Sequence, residues 1–249
     1  MITSLSSPKI VRVRRLLETL SPNDRREAGH FVVEGLRAVE GVISSRGVSG
    51  IEIYATAEWL GKFPQAIEIS QEIAKKVSDT ITTQGIFALV PIPQSESDLT
   101  HADSVAIFLE LQDPGNAGTI LRSAHAFGCG AVLFSKSSVD PYCAKVVRAS
   151  AGSVSAVPLH YGVEAAEIIE SLRSSHQILA FDMAGEELDG VATTKPVVMI
   201  FGNEARGLPS AILKDPSIKK VRIPMAHGIE SLNVASAATI AMYEISRSE

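Results

Sequence analysis

Residues 197–209 read VVMIFGNEARGLP. Four apolar residues run into Phe201 and Gly202, and Gly207 and Pro209 follow. An unbroken apolar run is what a strand covered on both faces requires, the condition of a parallel sheet flanked by helices. A strand that delivers a glycine loop commonly cradles phosphate. This loop carries Glu204, whose charge would repel phosphate. What the loop holds instead has to be read from the rest of the chain.

The pattern repeats on both sides of it. SVAIFLELQ (104–112) is another nearly continuous apolar strand, and NAGTILRSAHAFG (116–128) reads as a helix that ends in glycine. AVLFS (131–135), AVPLH (156–160), QILAFD (177–182) and KKVRIPM (219–225) are further strand candidates. PYCAKVVRASAG (141–152), VEAAEIIESLRSS (163–175) and SLNVASAATIAMYEISR (231–247) read as helices. Alternation of this kind predicts a mostly parallel α/β sheet. The segment PIPQSESDLTHAD (91–103) is polar, holds two prolines and has no hydrophobic period, so it reads as a linker. Ahead of it, a helix from Pro8 through Leu20, strands at FVVEG, IEIYA, IEIS and QGIFALV, and helices at LRAVEGVISSRG and QEIAKKVSD make a small α/β domain. The expected division is a domain over 1–93, a linker over 94–103 and a second domain over 104–249.

The last helix is small or apolar on nearly every side, from Leu232 and Val234 through Ile240 and Met242. A helix apolar all round is buried all round. Cover from a second chain or a wrapped segment is therefore expected.

Composition narrows the function classes. With 45% hydrophobic and 20% charged residues, a packed core is expected and global disorder is not. No apolar run approaches the roughly 18 residues of a membrane span. Cys129 and Cys143 have no partner at metal-ligand spacing, so both read as reduced residues of a cytoplasmic protein with no metal site. Net charge is −5, yet Arg12, Arg14, Arg15, Arg25 and Arg26 crowd the first helical stretch. A local basic patch can dock phosphates on an acidic protein; a solvated helix face reads equally well from charge alone.

Familiar cofactor motifs are missing. There is no G-x-x-x-x-G-K-[ST] and no G-x-S-x-G, and GCGAVL (128–133) places Leu133 where a dinucleotide fingerprint needs its third glycine. Three polar clusters at strand ends remain: DPGNAGTILRSAHAFG (113–128), FGNEARGLP (201–209) and IPMAHGIESLNVAS (223–236). In open α/β sheets, ligands sit beyond the carboxyl ends of the strands. Asn116 and Ser231 could serve as helix caps. Arg122, beside Ile120, Leu121 and Ala124, reads as half-buried and in need of an anionic partner. Glu204, fenced by Gly202, Gly207 and Pro209, reads as a charge on a fixed backbone.

Together the clusters resemble the three motifs of the SpoU (TrmH-like) RNA 2′-O-ribose methyltransferases of the SPOUT class. The first motif is matched at Asn116, Gly118, Ile120, Arg122, Ser123, Ala124, Phe127 and Gly128. The second is matched at Gly202, Glu204, Gly207 and Leu208, and the third at Ile223, Pro224, Met225 and then Ser231, Leu232, Asn233, Val234, Ala235 and Ala237. FVVEG and QGIFALV resemble the ribosomal-L30e-like substrate-binding domain many members carry in front. The resemblance implies an α/β domain with a deep trefoil knot, a homodimer, and S-adenosylmethionine as methyl donor. It implies Asn116, Arg122, Glu204, Ser231 and Asn233 as the catalytic group, and Ile200, Phe201, Gly202, Ile223, Met225 and Leu232 around the donor. The arginines of 1–26 would grip RNA, ribosomal RNA in preference to transfer RNA. A non-catalytic RNA-binding protein of the same fold is the rival, and retention of Asn116, Arg122 and Glu204 speaks against it.

Overall fold

The computed structural model describes residues 1–19, 21–94, 98–190, 194, 196–226 and 231–247. Leu20, residues 95–97 of the expected linker and residues 227–230 of the third cluster lie outside the described residues. Two compact units form, one from 1–94 with 140–156 and the other from 95–139 with 157–249.

In chain order the first elements are α1 (Pro8–Glu18), α2 (Pro22–Ala28), β1 (His30–Glu34), α3 (Leu36–Arg46), β2 (Glu52–Ala55), β3 (Ile67–Glu68), α4 (Gln71–Val77) and β4 (Ile86–Pro91). Then come β5 (Ser104–Phe108), α5 (Pro114–Ala126), β6 (Ala131–Ser135), α6 (Ala144–Ser150), β7 (Leu159–Val163) and α7 (Ala165–Leu172). The chain finishes with β8 (Gln177–Glu187), β9 (Val197–Phe201), α8 (Ser210–Leu213), β10 (Lys219–Arg222) and α9 (Val234–Arg247). Proline opens α1, α2 and α5, where a missing N–H costs nothing.

The first unit holds a four-stranded mixed sheet in the order β1-β4-β2-β3. Ile10, Val13, Leu16 and Leu17 form one face of α1 and pack with Val32, Tyr54, Ile73, Phe87 and Leu89. Residues 140–156 complete this unit. Tyr142 lies 4.8 Å from the Phe31 ring, and Arg148 Nη1 donates to Asp79 Oδ2 at 2.8 Å. The backbones of Gly41 and Gly152 meet so closely that a Cβ on Gly152 would stand 3.2 Å from the Gly41 Cα.

The placement of Arg25 corrects its reading as an RNA contact. Arg25 is 1% exposed and its Nη1 lies 3.2 Å from Asp140 Oδ2. Its Nη2 donates to the Thr19 carbonyl at 2.7 Å. A guanidinium that leaves water needs an anion, and this one has found an internal carboxylate. Burial pushes the Asp140 carboxyl above its usual range, with the nearby Arg25 charge acting the other way. Arg14 and Arg15 are exposed and Arg12 is half-buried, and all three are paired: Arg12 with Glu52 and His30, Arg14 with Glu18, and Arg15 with Asp24.

The second unit is built on six parallel strands in the order β10-β8-β9-β5-β6-β7. β5, β6 and β9 are buried at every residue, as their unbroken apolar runs require. Their alternate side chains serve two faces. Val105, Ile107, Val198 and Ile200 join Ile169 and Leu172 of α7, and Leu99 is buried in the same cluster. On α5 and α9, Ser123 and Thr239 hydrogen-bond through their hydroxyls at 2.6 Å. Cys129 and Cys143 are free thiols, and burial raises the pKa of Cys129.

The expected all-round burial of the last helix is not supplied by this chain alone. Ala235, Ala238, Ala241, Met242 and Ile245 are buried, while Ile240 is 36% and Tyr243 42% exposed. Among the described residues, no helix is long and apolar enough to cross a membrane.

Candidate functional site

The strand order sets where a ligand can sit. From β5 the chain runs outward through β6 to β7, then returns beyond β5 to lay down β8, β9 and β10. The neighbours β5 and β9 are therefore the point where the winding reverses, and ligands bind outside the carboxyl ends of such strands. The loops after β5 and β9 are those of the first two clusters.

A cavity of about 370 Å³ opens at these ends, within the size range of small-molecule sites, about 300–1,000 Å³. Phe181, Phe201, Leu208, Val221 and Leu232 supply apolar wall, and Asp182, Asn203, Glu204, Ser231 and Asn233 supply polar groups. Phe181 stacks on Phe201 with ring centroids 4.6 Å apart. Among the described residues, two carboxylates thus face the cavity, and the one arginine at its edge, Arg222, is committed to Glu187 at 2.6 Å. This balance disfavours a phosphate and suits a ligand with positive or zwitterionic character.

One wall was not anticipated from sequence. Pairing between β8 and β10 runs from Lys220↔Ala180 directly to Val221↔Glu186, so residues 181–185 of β8 bulge away from the ladder. That bulge brings Phe181, Asp182 and Met183 to the cavity. Gly185 permits it, because a Cβ there would stand 2.5 Å from the Val221 nitrogen. A glycine inside a strand pattern is the signal that could have been read.

The loop after β9 folds back on itself. Asn203 N donates to Gly207 O at 3.1 Å, and Gly207 N donates to Asn203 O at 2.9 Å. A Cβ on Gly202 would lie 2.3 Å from the Gly207 carbonyl carbon, and Gly207 has φ +66°. Both glycines are therefore demanded by the loop's own geometry.

The structure links the three clusters through side chains. Asn116 Nδ2 donates to Glu204 Oε1 at 3.3 Å, and Asn233 Nδ2 donates to Asn116 Oδ1 at 2.9 Å. Neither Asn116 nor Ser231 caps its helix through its side chain. Asp113 Oδ1 accepts from Asn116 N at 2.7 Å, and Asn233 Oδ1 accepts from Ala235 N at 2.9 Å and Ser236 N at 3.2 Å. Asp113 thus frees the Asn116 amide for its two partners.

The remaining residues fall in three groups. Phe201, Gly202, Glu204, Ile223, Met225, Ser231, Leu232 and Asn233 line the cavity. Ile200 does not, because its side chain joins the core on the α7 side of the sheet. Arg122 is exposed rather than half-buried, and makes no side-chain hydrogen bond or ion pair among the described residues. Among those residues, no group of three His, Cys, Asp or Glu could hold a metal ion.

Known proteins resemble this chain along nearly its whole length. The SpoU rRNA methylase family model matches residues 103–243, and the MRM3-like substrate binding domain matches 7–88. An uncharacterized tRNA/rRNA methyltransferase of Synechocystis is 31% identical, over 100% of this chain and 94% of its own. The 23S rRNA (guanosine(2553)-2′-O)-methyltransferase RlmP of Bacillus subtilis is 27% identical, over 97% and 98%. A crystal structure of an AdoMet-bound rRNA methyltransferase from Sinorhizobium meliloti superposes with TM-score 0.83 and 26% identity, over 99% of this chain and 97% of that one. The SpoU methyltransferase AviRb of Streptomyces viridochromogenes, solved with AdoMet, gives TM-score 0.82 at 25% identity, over 97% of each chain. With the motifs, the parallel sheet and the strand-end cavity in place, the chain belongs to the SpoU rRNA methylase family.

Proposed function

We propose that this protein transfers a methyl group from S-adenosylmethionine to a ribose 2′-hydroxyl of RNA, and that the RNA is ribosomal. The observation that carries this reading is the hydrogen-bonded chain Glu204–Asn116–Asn233, which joins all three motifs at a cavity suited to a zwitterion. Relatives named for rRNA methylation and neighbours solved with AdoMet support it.

Bound in the cavity, the donor would supply an electrophilic methyl on a sulfonium. Transfer would form a carbon–oxygen bond to the 2′-oxygen, break the carbon–sulfur bond, leave a neutral thioether and release the hydroxyl proton to solvent, so no anion hole for the leaving group is needed. The protein's task is to align the acceptor and to stabilise its oxygen as the proton departs. The backbone at Phe201, Gly202, Ile223, Met225 and Leu232 would hold the donor, with Ile200 supporting that wall from the core. Asn116, Glu204, Ser231 and Asn233 would orient the ribose. Arg122, exposed and free of partners among the described residues, binds the adjacent phosphate. It also stabilises the developing alkoxide with its guanidinium charge. The 2′-hydroxyl itself selects RNA over DNA.

The uncovered side of α9, with Ile240 and Tyr243, supports a homodimer through the second unit, and the family fold supports a trefoil knot there. The domain over 1–93, followed by the linker 94–103 and the methyltransferase domain 104–249, would bind the RNA substrate. Arg12, Arg14, Arg15 and Arg26 are its candidate contacts, exchanging their present partners for phosphates. The site of action is the cytoplasm.

The test is incubation with methyl-labelled donor and ribosomal or transfer RNA, followed by nuclease digestion and mapping. Label on ribose 2′-oxygens of rRNA is the expected outcome. Label confined to bases, or no transfer to either RNA, refutes the activity; ribose label on tRNA alone refutes the substrate.

A further inference from the structure

We infer that Asn203 is a positioning residue for methyl transfer: it anchors the Glu204 loop to a left-handed turn at Glu110 and so holds the Glu204 carboxylate on Asn116. This rests on the reaction proposed above.

The anchor is visible on both ends of one amide. Asn203 Nδ2 donates to the Glu110 carbonyl at 2.8 Å. Its Oδ1 accepts from Ala205 N at 3.0 Å and from Arg206 N at 3.1 Å, the bonds of a turn nucleated by an asparagine side chain. The same span carries Glu204 out of the turn toward Asn116 Nδ2. Without Asn203, the loop keeps the paired backbone bonds to Gly207, which only close it on itself, and an exposed ion pair from Arg206. An exposed pair contributes little to holding a loop in place.

The other end is built to receive it. Glu110 has φ +52°, a conformation that side-chain-bearing residues seldom adopt. Its N–H donates to Ser135 Oγ at 2.8 Å, and its carbonyl also accepts from Gln112 Nε2 at 3.0 Å. Its carboxylate pairs with Arg206 of the loop. Backbone held in a sparsely populated region persists only where its surroundings over-determine it. Here four bonds do so, and two of them run to the loop that carries Glu204. The loop is therefore fixed from the ends of β5 and β6, and its position does not depend on the donor.

Asn203 also lines the cavity, so two variants and a donor-binding measurement separate its anchoring of the loop from contact with the donor. Asn203→Asp keeps the acceptor for Ala205 and Arg206 and replaces the donor to Glu110 with an acceptor that repels its carbonyl. Asn203→Ala loses both. The measurements are kcat, the donor KM and the donor Kd by calorimetry, with amide exchange of residues 205–208. Expected is a fall in kcat of about tenfold or more in both variants, with donor Kd changed less than about threefold and faster exchange across 205–208. Wild-type kcat in Asn203→Ala, or a loss of donor affinity that accounts for the whole effect, overturns the inference. Failure of the unsubstituted protein to methylate any RNA would instead remove the proposed reaction, and unchanged exchange in Asn203→Ala would still refute the anchor.

Discussion

The buried pair Arg25–Asp140 permits a quantitative test. At 3.2 Å and an effective dielectric constant near 20, two unit charges attract by about 5 kcal/mol, which sets a ceiling for the pair. Removing one partner of a buried pair usually costs about 3–5 kcal/mol, because the other charge is stranded. In Asp140→Asn the guanidinium still has the Thr19 and Ser21 carbonyls at 2.7 and 3.4 Å. The expected loss is therefore at the low end, about 3 kcal/mol. Arg25→Met strands the carboxylate instead and should cost a similar amount near pH 7. The double substitution strands neither charge. Its amide oxygen can still accept from the Tyr142 N–H, as the Asp140 carboxylate does at 2.9 Å. It should cost about 1 kcal/mol, far less than the two singles together.

The assay is urea denaturation followed by fluorescence. The chain has one tryptophan; Trp59 lies in the first unit, its indole N–H bonded to the Gln84 carbonyl at 2.6 Å. The signal thus reports the unit that holds the pair. The pH dependence separates the two singles. Burial already raises the folded-state pKa of Asp140 above its unfolded value, and loss of Arg25 raises it further. A carboxylate with a raised folded pKa binds its proton more readily when folded, so it favours folding at low pH and costs stability as pH rises through that value. The Arg25→Met deficit should therefore shrink as pH falls from 7 toward about 4, while the Asp140→Asn deficit should not. Additive singles, or singles each costing under about 1 kcal/mol, would overturn this account of the pair and return Arg25 to the RNA-binding candidates.

Two further outcomes follow from the cavity. Gly202→Ala places a methyl 2.3 Å from the Gly207 carbonyl carbon, so the loop must open; donor binding measured by calorimetry should weaken at least about tenfold, and unchanged affinity would show that the loop is not part of the cradle. Asn116→Ala removes both links of the Glu204–Asn116–Asn233 chain; hydrogen bonds to charged groups contribute about 1.5–3 kcal/mol, so kcat should fall roughly 10- to 100-fold with donor Kd little changed, and wild-type turnover would remove Asn116 from the site.

The parallel sheet was legible because its strands are buried on both faces and so written as unbroken apolar runs, VVMIF, SVAIF and AVLF among them. Burial of Arg25 was not legible, because it depends on Asp140, more than a hundred residues along the chain. Six basic residues in 1–26 look alike as letters; only the fold gives one of them a buried partner. The packing of 140–156 with the first unit has the same origin. Its helical pattern was readable, but the residues it meets, Phe31, Gly41 and Asp79, lie in distant segments whose approach is a tertiary fact. The caps show the limit at short range. Asn116 and Ser231 are plausible caps by type, yet Asp113 and Asn233 take the role. Capping is decided by which side chain meets free N–H groups, and a boundary displaced by two or three residues changes the answer.

The loop at 201–209 shows why a site of this kind is only partly readable. Its glycines look like devices for admitting a ligand, and Gly202 and Gly207 are instead required by the loop's contact with itself. What distinguishes the loop is the adjoining pair Asn203 and Glu204. Asn203 turns inward to the carbonyl of the left-handed residue that follows β5, and Glu204 is thereby turned outward to Asn116. The chemistry needs a carboxylate at a fixed place, and a surface loop alone gives a charge no fixed place. Anchoring through a neutral amide achieves this without burying the charge, which would have cost its desolvation. The sequence could show that a glutamate interrupts a glycine loop; its fixed position depends on bonds to Glu110 and Asn116, both on the far side of the sheet's winding reversal.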